Sequence, residues 1–296
     1  MPSDALKFVV GLLRNAPAVA GDDVLAMRAN MEKAVAAVPV PEGVTFTPVR
    51  ANGVPAEWTV AAGARDEVAI VYFHGGGYVM GSLDTHRGLC ARLSQAARAR
   101  VLSVDYRLGP EHPHPAAVED AVAAVRFARA GGVAPERTAI AGDSAGGGLT
   151  LATLVALRDA GDPVPAAGLC ISPWTDLAMT GASLVTKAAE DPMVRPDDLR
   201  LMADAYLAGR DAKTPLASPL YADLAGLPPL LLQVGSAEVL LDDAVRVAER
   251  ARKAGVAADL RVWPDMFHVW HAFAQILPEG QQAVDEMAAF FETCLA

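Results

Sequence analysis

Residues Ala139–Gly148 read Ala-Ile-Ala-Gly-Asp-Ser-Ala-Gly-Gly-Gly, a short apolar run that leads into a single serine between glycines. The alanine- and leucine-rich segment that follows has the composition of a helix. A Gly-x-Ser-x-Gly pattern between a buried strand and a helix is typical of a nucleophile elbow. In so tight a turn, side chains at Gly142 and Gly146 would collide with neighbouring strands. The pattern therefore predicts a raised Ser144 hydroxyl, and the alternative is a glycine-rich turn with a surface serine.

Short apolar runs alternate with longer segments of helical periodicity along most of the chain. The predicted strands are 68–73, 100–104, 138–142, 168–172, 230–234 and 259–263. The predicted helices are 85–98, 115–129, 149–159, 242–254 and 281–294. Continuously apolar strands separated by helices predict an α/β fold with a mostly parallel sheet covered on both faces. Residues 45–61 alternate more loosely and predict an antiparallel hairpin at the sheet edge.

Two regions interrupt this alternation. Residues 1–45 have helical periodicity with no strand before them, and the stretch from 176 to about 217 contains one predicted helix, 196–207, in otherwise irregular chain. We expect both regions to lie over one edge of the sheet as a helical cap above Ser144. The predicted division is a core of residues 46–175 and 216–296 and a cap of residues 1–45 and 176–215.

The composition excludes several classes of protein. The formal net charge of −10 argues against a surface that binds nucleic acid or anionic membranes. The three cysteines have no metal-binding spacing and favour a reducing compartment, so we predict a cytoplasmic location. The apolar run 8–13 is shorter than the core of a signal peptide, although Ala18–Ala20 resembles a cleavage site. We also expect no segment that crosses a membrane.

A serine nucleophile needs a base, a group that orients the base, and donors for the oxyanion. In hydrolases with a nucleophile elbow, these residues follow the chain order serine, acid, histidine. Only His268 and His271 follow Ser144 in the sequence. His268 comes shortly after the last predicted strand, at the sheet edge where active sites of this architecture lie, so we predict that it is the base. His271 is interpreted as a packing or surface histidine.

Glu238 is the predicted acid, because it is the first carboxylate after the buried strand 230–234. Asp242 and Asp243 compete for this role, but they stand where a helix begins and are expected to cap its backbone N–H groups. Asp265 shares a loop with His268, and such a short connection rarely brings two side chains face to face.

The oxyanion donors are predicted in the loop His74–Gly77, which directly follows the strand 68–73. Consecutive glycines leave backbone N–H groups uncovered and allow positive φ angles. We predict that the N–H groups of Gly75 and Gly76, with that of Ala145, surround the developing oxyanion. A phosphate-binding loop is the alternative, but its accompanying Lys-Ser/Thr or Gly-x-Gly-x-x-Gly pattern is missing. His74 is interpreted as a residue that anchors the loop.

Five motifs together resemble the hormone-sensitive-lipase-like branch of the α/β-hydrolase fold, also known as the bacterial family IV esterases. They span most of the chain in the family's order: HGGG at 74–77, DYRLGPEHPHPAA at 105–117, GDSAGG at 142–147, SPWTDL at 172–177 and Phe267-His268. The resemblance implies a serine carboxylesterase with a helical cap that acts on small-molecule esters. The family's acid is usually aspartate, whereas this chain has Glu238 at the matching position.

The predicted mechanism needs no metal and no organic cofactor. Members of this family often form dimers through the last strand, so the resemblance also implies a possible homodimer. Two other functions stay open at this point. The same residues would serve an amide hydrolase or deacetylase, and the scaffold would also suit a non-catalytic receptor for a small ligand. Receptors that resemble this family lack the catalytic histidine, whereas this chain has His268.

Overall fold

A computed structural model of the chain describes residues 2–15, 23–35 and 39–295. Its central feature is a sheet of eight strands in the order β1-β2-β4-β3-β5-β6-β7-β8. The antiparallel hairpin β1–β2 forms one edge and pairs antiparallel with β4, and the remaining neighbours are parallel. The strands are β1 Val44–Ala51, β2 Val54–Ala61, β3 Arg65–Phe73, β4 Ala99–Val104, β5 Thr138–Asp143, β6 Ala167–Ile171, β7 Leu230–Gly235 and β8 Ala258–Trp263.

Helices cover both faces of this sheet. In the described part of the chain they are α1 Asp4–Asn15, α2 Val24–Val35, α3 Leu83–Ala97, α4 Ala116–Ala130, α5 Ala145–Asp159, α6 Ser183–Thr186, α7 Pro196–Leu207, α8 Leu241–Lys253 and α9 Pro278–Cys294. Three 3-10 turns accompany them, at Pro135–Arg137, Pro219–Tyr221 and Trp270–Phe273. The mostly parallel sheet, the edge hairpin and the two helical layers confirm the predicted α/β-hydrolase fold.

The sequence of β3 shows why the sheet is buried on both faces. Successive side chains of a strand point to opposite faces. Val71 and Phe73 belong to the core cluster that includes residues of α4, α5 and α8, whereas Ile70 and Tyr72 belong to the cluster with α3 and α9 on the other face. All four side chains are fully buried. A strand with two buried faces must be apolar at nearly every position, which is why residues 68–73 of β3 read as one continuous apolar run.

Helix α5 begins earlier than its composition predicts. The sequence places its start near Leu149, whereas the helix already includes Gly146, Gly147 and Gly148. Glycine disfavours a helix interior. Here the helix must pass so close to the loop after β3 that a β-carbon at Gly146 would overlap the carbonyl oxygen of Phe73. Tertiary contact therefore overrides the local preference at this position.

The two regions predicted as a cap contain α1, α2, α6 and α7. Helix α1 packs Leu6 and Val9 against Phe267 and Trp270, which flank His268. From α2, Arg28 donates to the carbonyl oxygens of Val79 and Gly109. Residues 16–22, which include the segment Ala18–Ala20 that resembles a cleavage site, and residues 36–38 lie outside the described residues.

Candidate active site

Ser144 occupies a strained turn between β5 and α5. Its backbone angles, φ 54° and ψ −120°, fall in a region that residues other than glycine rarely adopt. Three backbone hydrogen bonds hold it there: its N–H donates to Ile171 (2.8 Å), and its carbonyl accepts from Gly148 (3.1 Å) and Trp174 (2.9 Å). The Ser144 residue is 8% exposed. The turn therefore places a nearly buried Ser144 at the N-terminus of α5, between a strand and a helix as the elbow pattern requires.

Glu238 and His268 form a buried pair on the loops after β7 and β8. The Nδ1 of His268 lies 2.8 Å from Oε2 of Glu238. A carboxylate only accepts hydrogen bonds, so the proton of this bond belongs to Nδ1 and the Nε2 of the neutral ring is free to accept one. This is the tautomer that a general base for a serine hydroxyl requires.

The loop after β6 connects this pair to the nucleophile. The N–H of Trp174 donates to the carbonyl of Ser144, and the Ser172 hydroxyl accepts from the N–H of Val269 (3.2 Å), the residue after His268. A segment of three residues thus contacts both the elbow and the base loop. Because β5, β6, β7 and β8 are parallel neighbours, their carboxyl ends bring these side chains to one edge of the sheet.

Ser172 also holds the acid, a role that the sequence analysis missed. Its hydroxyl donates to Oε1 of Glu238 (2.7 Å), and the N–H of Gly235 donates to the same oxygen (2.6 Å). Both oxygens of the carboxylate are therefore occupied, one by these two donors and the other by His268. The available signal was position, because Ser172 directly follows β6, the strand between those that lead to Ser144 and Glu238.

Two opposing effects set the pKa of His268. Burial lowers the pKa of the imidazole, whereas the hydrogen bond and charge of Glu238, with the charges of Asp191 and Asp143, raise it; the net pKa lies above 6.5. The other histidine that follows Ser144 behaves differently. His271 is buried against Gln233 (2.9 Å) and burial lowers its pKa to about 3, which agrees with a packing role.

The rival acids make other contacts. Asp243 is buried and accepts the N–H groups of Thr175 and Asp176 (both 2.8 Å), while Asp242 accepts the N–H of Ser183 (3.0 Å). The interpretation that these two carboxylates cap their own helix is wrong: each binds backbone from another segment. Asp265 is exposed.

The glycine loop passes beside the nucleophile. A β-carbon built on Gly75 would lie 3.1 Å from Cβ of Ser144. The N–H of Gly75 is already engaged, because it donates to Oδ1 of Asp143 (3.1 Å). Gly76 and Gly77 have φ angles of 116° and 61°, and their N–H groups and that of Ala145 have no acceptor among the residues described. The expectation that Gly75 supplies an oxyanion donor is therefore not met in this conformation, in which the following glycines leave their N–H groups uncovered.

A network of buried polar side chains contacts the glycine loop and holds it in place. Asp143 accepts the Tyr72 hydroxyl (2.6 Å), and its second oxygen lies 3.3 Å from Nε2 of His86. His74 stacks on Tyr106 with ring centroids 4.3 Å apart, and its Nδ1 donates to the Gly75 carbonyl (2.7 Å). Burial, with the neighbouring His86, lowers the pKa of His74 to about 4. His74 is therefore neutral near pH 7 and anchors the loop, as interpreted from the sequence.

The described residues also bear on other classes of site. Within residues 2–15, 23–35 and 39–295, no group of three or more His, Cys, Asp or Glu side chains is arranged to hold a metal ion. Over the same residues, no helix has both the length and the apolar character that a membrane span requires.

Comparisons with known proteins identify the family of the chain. Residues 70–272 match the family model described as "alpha/beta hydrolase fold". The chain is 53% identical over 238 residues to an acetyl-hydrolase of Streptomyces hygroscopicus, which covers 80% of this chain and 79% of the relative. It is 36% identical over 268 residues to the carboxylesterase NlhH of Mycobacterium tuberculosis, with 86% of this chain and 80% of the relative covered.

Among solved structures, the chain resembles an esterase from the bacterial hormone-sensitive lipase family. The TM-score is 0.96 with 49% sequence identity, and the match covers all of both chains. The match to the family model, the sequence relatives and this structure agree with the resemblance carried by the five motifs. The chain belongs to the α/β-hydrolase family, in the branch of the hormone-sensitive-lipase-like esterases.

Proposed function

We propose that the protein is a serine carboxylesterase that hydrolyses short- to medium-chain acyl esters through Ser144, His268 and Glu238. The observation that carries the proposal is the 2.8 Å bond from His268 Nδ1 to Glu238, on the same sheet edge as a strained serine elbow. The names of the relatives, acetyl-hydrolase and carboxylesterase, support hydrolysis of acyl groups.

In this mechanism the Ser144 hydroxyl attacks the ester carbonyl while Nε2 of His268 takes its proton. Glu238 keeps the ring in the required tautomer and stabilises the imidazolium that forms. The N–H groups of Gly76 and Ala145 receive the oxyanion, and we add that of Gly77 in place of Gly75, whose N–H donates to Asp143. His268 then protonates the departing alcohol. Water attacks the acyl-enzyme by the same route and releases the carboxylic acid.

The test is covalent labelling with an organophosphate combined with hydrolysis of p-nitrophenyl esters. The wild-type chain is expected to be labelled and to turn over the esters, and Ser144→Ala is expected to lose both properties. Labelling that persists in Ser144→Ala would overturn the assignment of the nucleophile. Labelling without turnover of any ester would favour a ligand receptor on a hydrolase scaffold.

A preference for short- to medium-chain acyl groups is supported by helix α7, which belongs to the predicted cap. A β-carbon at Gly77 would overlap Sδ of Met202, so this methionine lies directly on the glycine loop. Because Met202 limits the space above the loop, we expect Met202→Ala to shift the preference of kcat/KM toward longer acyl chains. An unchanged chain-length profile would contradict the proposed role of α7 as the roof of the acyl site.

An amide hydrolase or deacetylase is the second candidate, since the 53% identical relative is named acetyl-hydrolase without a stated bond type. Matched O-acetyl and N-acetyl substrates distinguish the two reactions through the ratio of their kcat/KM values.

For location, we propose the cytoplasm; the three free cysteines, two of them buried, support a reducing compartment.

A further inference from the structure

The residue after the acid is held by the chain segment that the sequence predicts as part of the cap. The N–H of Val239 donates to Oδ2 of Asp191 (3.0 Å), and its carbonyl accepts from the Ser183 hydroxyl (2.7 Å). Both backbone polar groups of Val239 are therefore satisfied by residues some fifty positions earlier in the chain. Val239 is fully buried, so water does not compete for these bonds.

Asp191 is arranged to make this contact in one orientation. Its other oxygen, Oδ1, accepts the N–H groups of Met193 (2.9 Å) and Val194 (3.0 Å), and the residue is 9% exposed. The carboxylate thus has one oxygen for its own loop and one for the acid loop. Three N–H donors therefore hold this nearly buried carboxylate in one position.

Ser183 provides a second connection between the same two segments. Its hydroxyl accepts the N–H of Asp242 (3.0 Å) while it donates to Val239, and its N–H donates to the Asp242 carboxylate (3.0 Å). By comparison, two backbone–backbone bonds within the acid loop are long: Glu238 to Gly235 and Leu241 to Glu238 both measure 3.3 Å. Gly235 and Ser172 hold the carboxylate of Glu238, whereas the short bonds to the backbone of Val239 come from Ser183 and Asp191.

We propose that Asp191 is a positioning residue for the acid: it fixes the backbone beside Glu238 and so couples the predicted cap to the catalytic base. This inference rests on the proposed function of Ser144, His268 and Glu238. A displacement of the Val239 backbone moves the neighbouring Glu238, and a small displacement lengthens its bond to His268.

The charge of Asp191 adds an electrostatic signature to this role. The ionisable groups that face His268 are Glu238, Asp191, Asp143 and His271. The three carboxylates raise the pKa of His268, whereas His271, whose pKa is about 3, stays neutral near pH 7. Removal of the Asp191 charge, or of the Glu238 bond that Asp191 positions, therefore lowers the pKa of His268.

The experiment compares Asp191→Asn with Asp211→Asn. An asparagine keeps the size of the side chain, but its NH₂ group then faces either Val239 or the Met193 and Val194 N–H groups, donor against donor. Asp211 is a matched control in the same region, since its carboxylate accepts the N–H of Lys213 (2.9 Å) and is exposed. For Asp191→Asn we expect kcat to fall about 10-fold, with KM within about twofold and the acid limb of kcat/KM at lower pH. For Asp211→Asn we expect values like those of the wild type.

The same substitution in a Glu238→Gln background separates positioning from a general loss of structure. If Asp191 acts through the acid, Asp191→Asn has little further effect on kcat there, whereas a structural defect reduces kcat by the same factor in both backgrounds. An unchanged kcat and pH profile in Asp191→Asn, or equal losses in the two backgrounds, would overturn the inference.

Two further measurements keep the outcome interpretable. If Asp191→Asn does not fold, Ser183→Ala tests the other bond to Val239, and the same fall in kcat with unchanged KM is expected. Ser144→Ala is assayed in parallel. If it is inactive while Asp191→Asn resembles the wild type, the inference fails and the proposed function stands. Activity that persists in Ser144→Ala would instead refute the proposed function.

Discussion

Replacement of Ser172 by alanine removes a single hydroxyl that touches both the acid and the base loop. In the wild type, this hydroxyl donates to Glu238 (2.7 Å) and accepts the N–H of Val269 (3.2 Å). A hydrogen bond to a charged group contributes about 1.5–3 kcal/mol. At about 1.4 kcal/mol per factor of ten, a loss of this size in the transition state lowers kcat/KM by about 10- to 100-fold. The unpaired, buried N–H of Val269 also costs about 1–3 kcal/mol of the free energy of unfolding.

Ser94→Ala is the matched control for this substitution. Ser94 is equally buried and also accepts one backbone N–H, from Ala61 (3.0 Å), and donates to one backbone carbonyl, that of Ala99 (2.7 Å). Both variants should lose comparable stability in urea denaturation, but only Ser172→Ala should lose kcat/KM on p-nitrophenyl acetate. A folded Ser172→Ala enzyme with wild-type kcat/KM would refute the role of Ser172 in positioning Glu238, as would an equal loss in Ser94→Ala.

Three further predictions follow from the same structure. Because His268 must be neutral to act as a base and its pKa is raised above 6.5, kcat/KM should fall as the pH drops through a midpoint above 6.5; a pH profile that is flat between about 5 and 8 would contradict this. Burial raises the pKa of Asp243 from 3.8 to about 7, so its contribution to stability is present below about pH 4 and is lost as the pH rises to about 7. Asp243→Asn should therefore gain stability relative to the wild type across that window, by at most about 4 kcal/mol for about three pKa units, and equal differences in urea unfolding at low and high pH would exclude this. The possible homodimer would pair the outer edge of β8, where Val262 is 43% exposed; light scattering should give a dimer mass that Val262→Lys converts to a monomer, and a monomeric wild type would contradict the pairing.

The sequence predicts the fold because the strands of a doubly covered parallel sheet carry their signal locally. Each predicted parallel strand corresponds to an observed one within about three residues. The central strands β5, β6 and β7 are buried at every position, which is why their signal is local. The start of α5 is missed for a reason outside the helix itself. Three glycines argue against a helix, and the reason for them lies in distant parts of the chain: Gly146 lies against the end of β3, whereas Gly147 and Gly148 lie against the loop after β6.

In the candidate site, too, some features are predictable from the sequence and others are not. Ser144, Glu238 and His268 are predictable because each follows a recognisable element and has the side chain that the chemistry needs. The hydrogen-bond partners of Gly75 and Asp243 are not predictable in this manner. A glycine triplet shows that N–H groups are uncovered in general, but which of them faces Asp143 depends on the path of the loop. A carboxylate at the start of a helix has the sequence position of a helix cap. That position is the same whether the carboxylate accepts N–H groups of its own helix or, as Asp243 does, those of the loop after β6.

The glutamate at position 238 connects these observations. A glutamate side chain has one more rotatable bond than the aspartate usual in this family, so more interactions are needed to hold its carboxylate in one place. The structure supplies them from three separate parts of the chain: Gly235 at the end of β7, Ser172 after β6, and Asp191 and Ser183 through the backbone of Val239. None of these partners is a catalytic residue, and each is a common residue type in an unremarkable local setting. The chemistry of the site can therefore be predicted from three residues, whereas the precision of the site depends on contacts that form only when the sheet and the predicted cap come together.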